Sequence, residues 1–160
     1  MRQYIHIIIT TIFIMFISGC LNEPVTSTKQ GITLRNAINT NDFTLLADSI
    51  TFPLAVTKQD WKTADDGYGY VLANKKNHLS NNSKDLAAVF KILEHVEIEG
   101  KEPLSQELTV TDFSNEFEGV EHYWNTLDLV VFFRGEGDVE HIVILGLDKE
   151  SAKLRAIYIN

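Results

Sequence analysis

Three apolar runs between Leu127 and Ile159 constrain this chain more than any other feature. Leu127–Arg134, Val139–Leu147 and Ala152–Ile159 are each of strand length and rich in Val, Ile, Leu and Phe. Only Gly135-Glu136-Gly137-Asp138 and Asp148-Lys149-Glu150-Ser151 separate them, the latter read as a turn at Lys149-Glu150. Strands joined by turns this short have to be antiparallel neighbours, because a parallel return needs a long crossover. The three runs therefore predict an antiparallel meander. With a four-residue first turn Arg134 would face Val139, and with a two-residue second turn Asp148 would face Ser151. One face of the sheet would then carry Leu129, Val131, Phe133, Ile142, Ile144, Ile157 and Ile159 and lie on a helix. The other, mixed face would carry Asp128, Val130, Phe132, Arg134, His141, Val143, Leu145, Leu154, Ala156 and Tyr158, with Phe132, His141 and Tyr158 in one row. Side chains alternate with a period of two, so a slip of one residue exchanges the faces.

Upstream, Gln30 to Asn39 reads as a helix with Leu34, Ala37 and Ile38 on one face. Asn39-Thr40-Asn41-Asp42 breaks it and offers caps for a second, short helix to about Ser49, with Phe43, Leu46, Ala47 and Ile50 on one side. Thr51–Thr57 reads as a strand, in which Pro53 cannot donate to a ladder and so marks an edge or a strand start. Residues 58–82 show no regular pattern; they hold Trp61, Tyr68, Tyr70 and an Asp65-Asp66-Gly67 turn. Ser83 is placed to cap an amphipathic helix to about Val96, with Leu86, Val89, Phe90, Leu93 and Val96 on one face and Lys84, Lys91 and His95 away from it. Glu107–Phe113 alternates as a further strand, and an acidic loop runs on to Asn125. The expected fold is α+β: N-terminal helices packed on a curved antiparallel sheet that ends in the three-stranded meander, cone-like, as one domain over residues 30–160.

The first twenty residues are a separate object. Arg2 is their only charge, Tyr4 to Ile17 is almost wholly apolar, and Ile17-Ser18-Gly19-Cys20 follows. A basic start, a short apolar run and small residues before a cleavage point are the marks of a secretory signal, and the run is short for a membrane-spanning helix. Ile17-Ser18-Gly19-Cys20 resembles the lipobox of bacterial lipoproteins. The resemblance implies that residues 1–19 are a signal peptide, that the Cys20 thiol takes a diacylglycerol, and that cleavage leaves Cys20 as an acylated (palmitate-type) N-terminus. Buried acyl chains contribute roughly 0.8 kcal/mol per CH2, so two or three anchor a protein durably. Leu21, not Asp, follows the cysteine, which favours the outer membrane, on its periplasmic side, in a Gram-negative cell envelope. Residues 20–29 are then the acylated Cys and a polar, Pro-containing tether.

A second resemblance spans the rest of the chain. Asn41-Asp42-Phe43-Thr44-Leu45-Leu46-Ala47, leading into Ser49-Ile50-Thr51-Phe52-Pro53-Leu54, then a helix and a long meander, is similar to the nuclear-transport-factor-2-like (cystatin-like) superfamily. The resemblance implies a curved sheet wrapping a helix into a cone with a pocket. It implies no activity, because members include ring isomerases, dehydratases and domains without chemistry. The irregular stretch at 58–82 departs from that pattern at the expected pocket mouth.

The whole chain carries a net charge of −8, which makes a nucleic-acid partner a poor expectation. From Glu94 to Glu140 thirteen acids stand against two bases, Lys101 and Arg134, a surface suited to steering in a basic protein partner. The lone Cys20 can form neither an internal disulfide nor a Cys-based zinc site. No Gly-x-Ser-x-Gly, His-Glu-x-x-His or phosphate-cradling Gly loop is present, so no cofactor or metal is expected. Glu118, Glu121 and His122 fit no ligand spacing and read as a solvated loop. Asp128, His141 and Tyr158 could form an acid–base set if the mixed face lines a pocket, with Arg134 to hold an anion. Trp61, Tyr68, Tyr70, Tyr123 and Trp124 fall in loops, where aromatics serve as interface anchors. Two functions are compatible with this pattern, and the anchor alone suggests a third, a structural envelope component. The first is a non-enzymatic, membrane-anchored lipoprotein that binds another protein, one form of which is an immunity protein against a periplasmic toxin. The second is a small-ligand-binding or isomerase- or dehydratase-like pocket protein of the cone fold.

Overall fold

The computed structural model describes residues 26–104, 121–134 and 141–160. Cys20, the strand expected at Glu107–Phe113, most of the acidic loop and the first meander turn lie outside these residues.

Helix α1 runs from Ser27 to Asn39, three residues longer at its start than its apolar pattern predicts, because Thr26 caps it by accepting from the Lys29 amide. It buries Gly31, Leu34, Ala37 and Ile38, residues one helical turn apart on one face. Asp42 caps α2 (Phe43–Ser49) by accepting from the Leu45 amide at 3.0 Å. Strand β1 then runs from Ile50 to Thr63 and β2 from Tyr70 to Ser80. The cap of the next helix is Asn82 rather than Ser83: its side chain accepts from the Lys84 amide at 2.9 Å. A 3-10 turn, Ser83–Asp85, leads into α3 (Leu86–Leu93), so the helix stops three residues short of Val96. A four-residue α4 (Glu121–Trp124) precedes β3 (Leu127–Arg134), β4 (His141–Asp148) and β5 (Leu154–Ile159).

The sheet is five-stranded and curved, in the order β2-β1-β5-β4-β3. The meander is antiparallel as expected, but β1 pairs with β5 in parallel, from Ala55 against Ala156 to Lys58 against Ile159, so the sheet is mixed rather than antiparallel. Pro53 sits in a central strand. The β1–β5 register breaks between Ile50 and Ala55, and pairing with β2 begins at Leu54, so Pro53 falls where neither ladder needs its missing N–H. Residues 58–82, expected to be irregular, are mostly strand: β1 and β2 form a long antiparallel hairpin from Leu54 against Ser80 to Thr63 against Tyr70. The Asp65-Asp66-Gly67 turn closes it, as expected, with the Asp66 carboxylate accepting from the Tyr68 amide at 2.9 Å.

The meander register corrects the face map. Arg134 faces His141, two residues from the expected partner, which leaves the faces of β3 and β4 unchanged. Leu145 faces Ile157, an odd-numbered displacement, which turns β5 over. The cause is a longer second turn. The Asp148 carboxylate accepts from the Glu150 and Ser151 amides and the Ser151 hydroxyl, and Ala152 adopts a φ of 52°. The helices also cover the face opposite to the one expected: α1, α2 and α3 pack on Val130, Phe132, Val143 and Leu145, joined there by Ile157 and Ile159, around Leu34, Ile38, Leu46, Val89 and Leu93, and not on the face of Leu129, Val131 and Phe133. The opposite face, with Val131, Ile144, Ala156 and Tyr158, forms a second cluster under Trp124 and Leu127. Two glycines mark the tightest approaches. A Cβ on Gly31 would lie 2.5 Å from Val130 Cγ1, and one on Gly146 would lie 2.7 Å from Leu127 Cδ1 and 3.0 Å from Trp124 Cζ3.

Candidate functional site

β5 stops at Ile159, while β1 continues past it to Thr63. This mismatch in strand length leaves a notch at one end of the sheet, where β3 ends in Arg134 and β4 begins at His141. The notch is an open cleft of about 410 Å³ lined from β1 by Gln59, Asp60 and Trp61, from the segment after α3 by His95, Glu97 and Glu99, and by Arg134, His141 and Asn160.

Each wall has a local cause. Asn160 fastens the end of β5 to β4: its side-chain oxygen accepts from the Ile142 amide at 2.6 Å, and its backbone N–H donates to the Ile142 carbonyl. Its own carbonyl accepts from Arg134 Nη1 at 3.1 Å, which holds the guanidinium at the cleft wall. Gln59 is buried and donates to the Tyr158 hydroxyl at 3.1 Å, joining the floor of the cleft to the second core cluster. Lys58 pairs with Asp60 at 3.3 Å. The wall formed by the segment after α3 depends on Asn39 and Arg35, neither of which the sequence marks as a site residue. Asn39, at the end of α1, accepts from the Ile98 amide and donates to its carbonyl, both at 2.8 Å. Arg35 donates to that carbonyl from Nε and Nη2. The side-chain amide thus stands in for a neighbouring strand. With Ile98 fully buried between them, Glu97 and Glu99 project outward. His95 takes a left-handed φ of 68° where the chain leaves α3. Among the described residues neither Glu97 nor Glu99 is in an ion pair, and Arg134 pairs with no Asp or Glu side chain.

The acid–base set drawn from the sequence is not assembled. His141 and Arg134 line the cleft, whereas Asp128 is six residues back along β3, about 20 Å at 3.3 Å per residue, where it accepts from the Ser27 hydroxyl at 2.6 Å. Tyr158 is buried on the opposite face of the sheet in contact with Gln59. The row Phe132–His141–Tyr158 is replaced by Phe132–Val143–Ile159 and Val131–Ile144–Tyr158.

The aromatics divide in two. Trp124 is a core residue, 2% exposed, and cannot anchor a partner. Tyr123 is half-buried. Its hydroxyl reaches the carbonyls of Pro53 and Arg155, and the Arg155 guanidinium stands 5.1 Å over its ring. Burial pushes the Tyr123 phenol above the usual tyrosine value, and the Arg155 charge opposes part of that rise. Trp61, Tyr68 and Tyr70 are exposed on the β1–β2 hairpin, Tyr68 to 85% at its tip. Val71 and Leu72 are exposed beside them, brought there only by the hairpin, while Leu79 is exposed at its other end, opposite Ala55.

Among the described residues no group of three metal-ligating side chains occurs and no helix is long and apolar enough to cross a membrane. Glu118, Glu121 and His122 fall outside the residues whose side chains are described. No protein-family model, no curated protein and no solved structure matches the chain.

Proposed function

We propose that this is a lipid-anchored lipoprotein of the bacterial envelope, tethered through Cys20, whose folded domain binds another protein and performs no catalysis. The observation that carries the binding role is the projecting β1–β2 hairpin, with Trp61, Tyr68, Tyr70, Val71 and Leu72 all exposed on it. Large apolar side chains gathered in one place on a monomer's surface mark interaction sites, whereas single ones scattered over it do not. Beside the root of the hairpin the cleft presents Asp60, Glu97 and Glu99 next to Trp61, an arrangement suited to basic side chains of a protein partner.

The anchor and the hairpin suit one another in geometry. Ser27, where the tether enters the fold, is held by Asp128 at the end of the sheet opposite the cleft. β1 has 14 residues and spans about 46 Å at 3.3 Å per residue, so the hairpin tip stands far from the point where the tether joins. An acylated Cys20 joined there through a few residues leaves the tip free to face away from the membrane. In a Gram-negative host, Leu21 after Cys20 directs the protein to the periplasmic side of the outer membrane.

One form of this reading is an immunity protein that neutralises a toxin delivered to the periplasm. The test is site-specific photo-crosslinking in intact cells. A photoreactive residue at position 68 should give one discrete protein adduct, and the same residue at Lys149, exposed in the β4–β5 turn, should give none. Equal, diffuse labelling from both positions would refute the binding role. Cys20→Ala should release the protein from the membrane fraction, and retained acyl labelling would refute the anchor. For the immunity form the adduct is a secreted toxin, and loss of the gene sensitises cells to it.

A second reading, a small-ligand or enzymatic pocket protein of the cone fold, is favoured by the presence of Arg134 and His141 in the cleft. It predicts saturable binding of a small carboxylate, lost in Arg134→Gln, with no requirement for Tyr68 or Tyr70.

A further inference from the structure

β2 is the last strand of the sheet and pairs only with β1 among the described residues. Among the described residues no strand lies along its outer edge, a row of backbone N–H and C=O groups. Proteins protect such edges by keeping them short, by inserting Pro, by bulges or by placing charges on them. β2 is 11 residues long and contains neither Pro nor Gly. All but His78 and Ser80 are exposed. Its remaining protections are a register shift opposite Asp60 and Trp61, and the two lysines Lys75 and Lys76.

The charges say what this edge accepts. β2 carries no acid. Lys76 lies directly across from Lys58 on β1, and like charges in that position repel. Lys58 has Asp60 as its partner at 3.3 Å, whereas neither Lys75 nor Lys76 has an ion pair among the described residues. An acid one strand further out would complete the row Lys58–Lys76–acid and relieve that repulsion. Successive side chains point to opposite faces, so Lys75 asks for a second acid on the other face. A second copy of the chain is the poorer occupant. Two β2 strands paired antiparallel over their full length have their two-fold axis at Lys75, which sets Lys75 against Lys75. Toward the hairpin tip the requirement changes: Tyr70 and Leu72 share a face with Trp61, and all three are exposed.

We propose that the outer edge of β2 is a docking strand that takes an extended segment of a partner protein as a sixth strand of the sheet. That segment carries acidic residues opposite Lys75 and Lys76 and apolar residues opposite Leu72 and Tyr70. Main-chain hydrogen bonds provide the attachment, and the two lysines and the apolar end fix register and direction. This deepens the protein-binding reading of the hairpin and rests on it. The partner is then bipolar in charge, with an acidic strand on the edge and basic side chains toward the cleft.

The test uses the full chain and three capped strand-forming peptides of identical length. One has two adjacent Glu flanked by Thr and Val, the second has Lys for Glu, and the third is the Glu peptide N-methylated at alternate backbone amides. Hydrogen exchange of the Tyr70–Ser80 amides is followed by NMR. The Glu peptide should slow alternate amides of β2, more weakly as salt rises. The N-methylated peptide should not slow them, and the Lys peptide should bind at least tenfold more weakly. In a Lys75→Glu/Lys76→Glu variant the preference between Glu and Lys peptides should reverse. Absence of protection at saturating Glu peptide, or equal protection by both charges, overturns the proposal. Protection that grows with protein concentration alone also overturns it, in favour of pairing between copies. If position 68 crosslinks in cells while β2 amides stay unprotected by peptide, the hairpin binds a protein but not by strand addition.

Discussion

Asn39 shows how one side chain can hold a wall of the cleft in place. Both hydrogen-bonding groups of the Ile98 backbone are directed at its amide, and Ile98 itself is fully buried. Asn39→Ala would strand a buried N–H, while Arg35 still serves the carbonyl. Leaving a buried group unsatisfied costs about 1–3 kcal/mol, so the urea midpoint should fall accordingly. Amide exchange should accelerate first at residues 96–99, before the sheet loosens. A variant as stable as the parent would mean that Arg35 alone moors the segment. Asp148 gives a second prediction at this scale. Hydrogen bonds from Ser151 and Glu150, and the Arg155 charge 3.6 Å away, hold its carboxyl below the ordinary aspartate value. A depressed folded-state pKa contributes stability that is complete above the unfolded value near 4 and is lost as pH falls through the folded one. The stability difference between pH 7 and pH 3 should therefore shrink in Asp148→Asn. An unchanged difference would show that other carboxylates account for acid denaturation.

Packing between elements turns on Gly31, where α1 lies against β3. Alanine is the better helix former by about 1 kcal/mol, but its Cβ would sit 2.5 Å from Val130 Cγ1, and all three of its nearest neighbours belong to that one stiff, buried side chain. Overpacking of this kind costs about 1–3 kcal/mol, so Gly31→Ala should be destabilising despite its propensity. In a Val130→Ala background the same change should become neutral or stabilising, a coupling that a double-mutant cycle reads directly. Additive effects would show that α1 shifts freely on the sheet. The elements themselves were legible to different degrees, and burial explains the difference. α1 and α2 each bury one face, so their apolar residues recur with the helical period, and the three meander strands are buried on both faces, so they read as near-continuous apolar runs. β2 is exposed on both faces nearly throughout, so Tyr70-Val71-Leu72-Ala73-Asn74-Lys75-Lys76 has no period to read, and residues 58–82 look irregular until β1 is seen beside them. The orientation of β5 was hidden for another reason. It depends on the length of one turn, which Asp148 sets through three hydrogen bonds, and nothing in the apolar pattern of Ala152–Ile159 reports it. Arg134 and His141 could be nominated as polar residues at strand ends. Glu97, Glu99 and Asn160 could not, because only the mismatch in length between β1 and β5 makes the notch they line.

At the scale of the whole molecule, stability and the proposed binding role fall in different places. The core lies on the two faces of β3, β4 and β5 and under the helices, while the far half of the hairpin contributes little buried surface. Substitutions at exposed positions usually change stability by no more than about 0.5 kcal/mol each, whereas a charge buried without a partner costs several-fold more. A combined Tyr68→Ser, Tyr70→Ser, Leu72→Ser variant should therefore melt within a few degrees of the parent, a domain of this size losing about 2–4 °C per kcal/mol. Its peptide-induced protection should nevertheless disappear, and so should the adduct when the photoreactive residue at position 68 is combined with Tyr70→Ser and Leu72→Ser alone. Leu93→Asp, which places a carboxylate in the helix-side core where Leu93 is 1% exposed, should unfold the domain and abolish binding and structure together. The pair of variants separates a binding element from a structural one. If the triple Ser variant lost its cooperative melt, the hairpin would be part of the folding unit, and its exposed aromatics would need no partner to account for them.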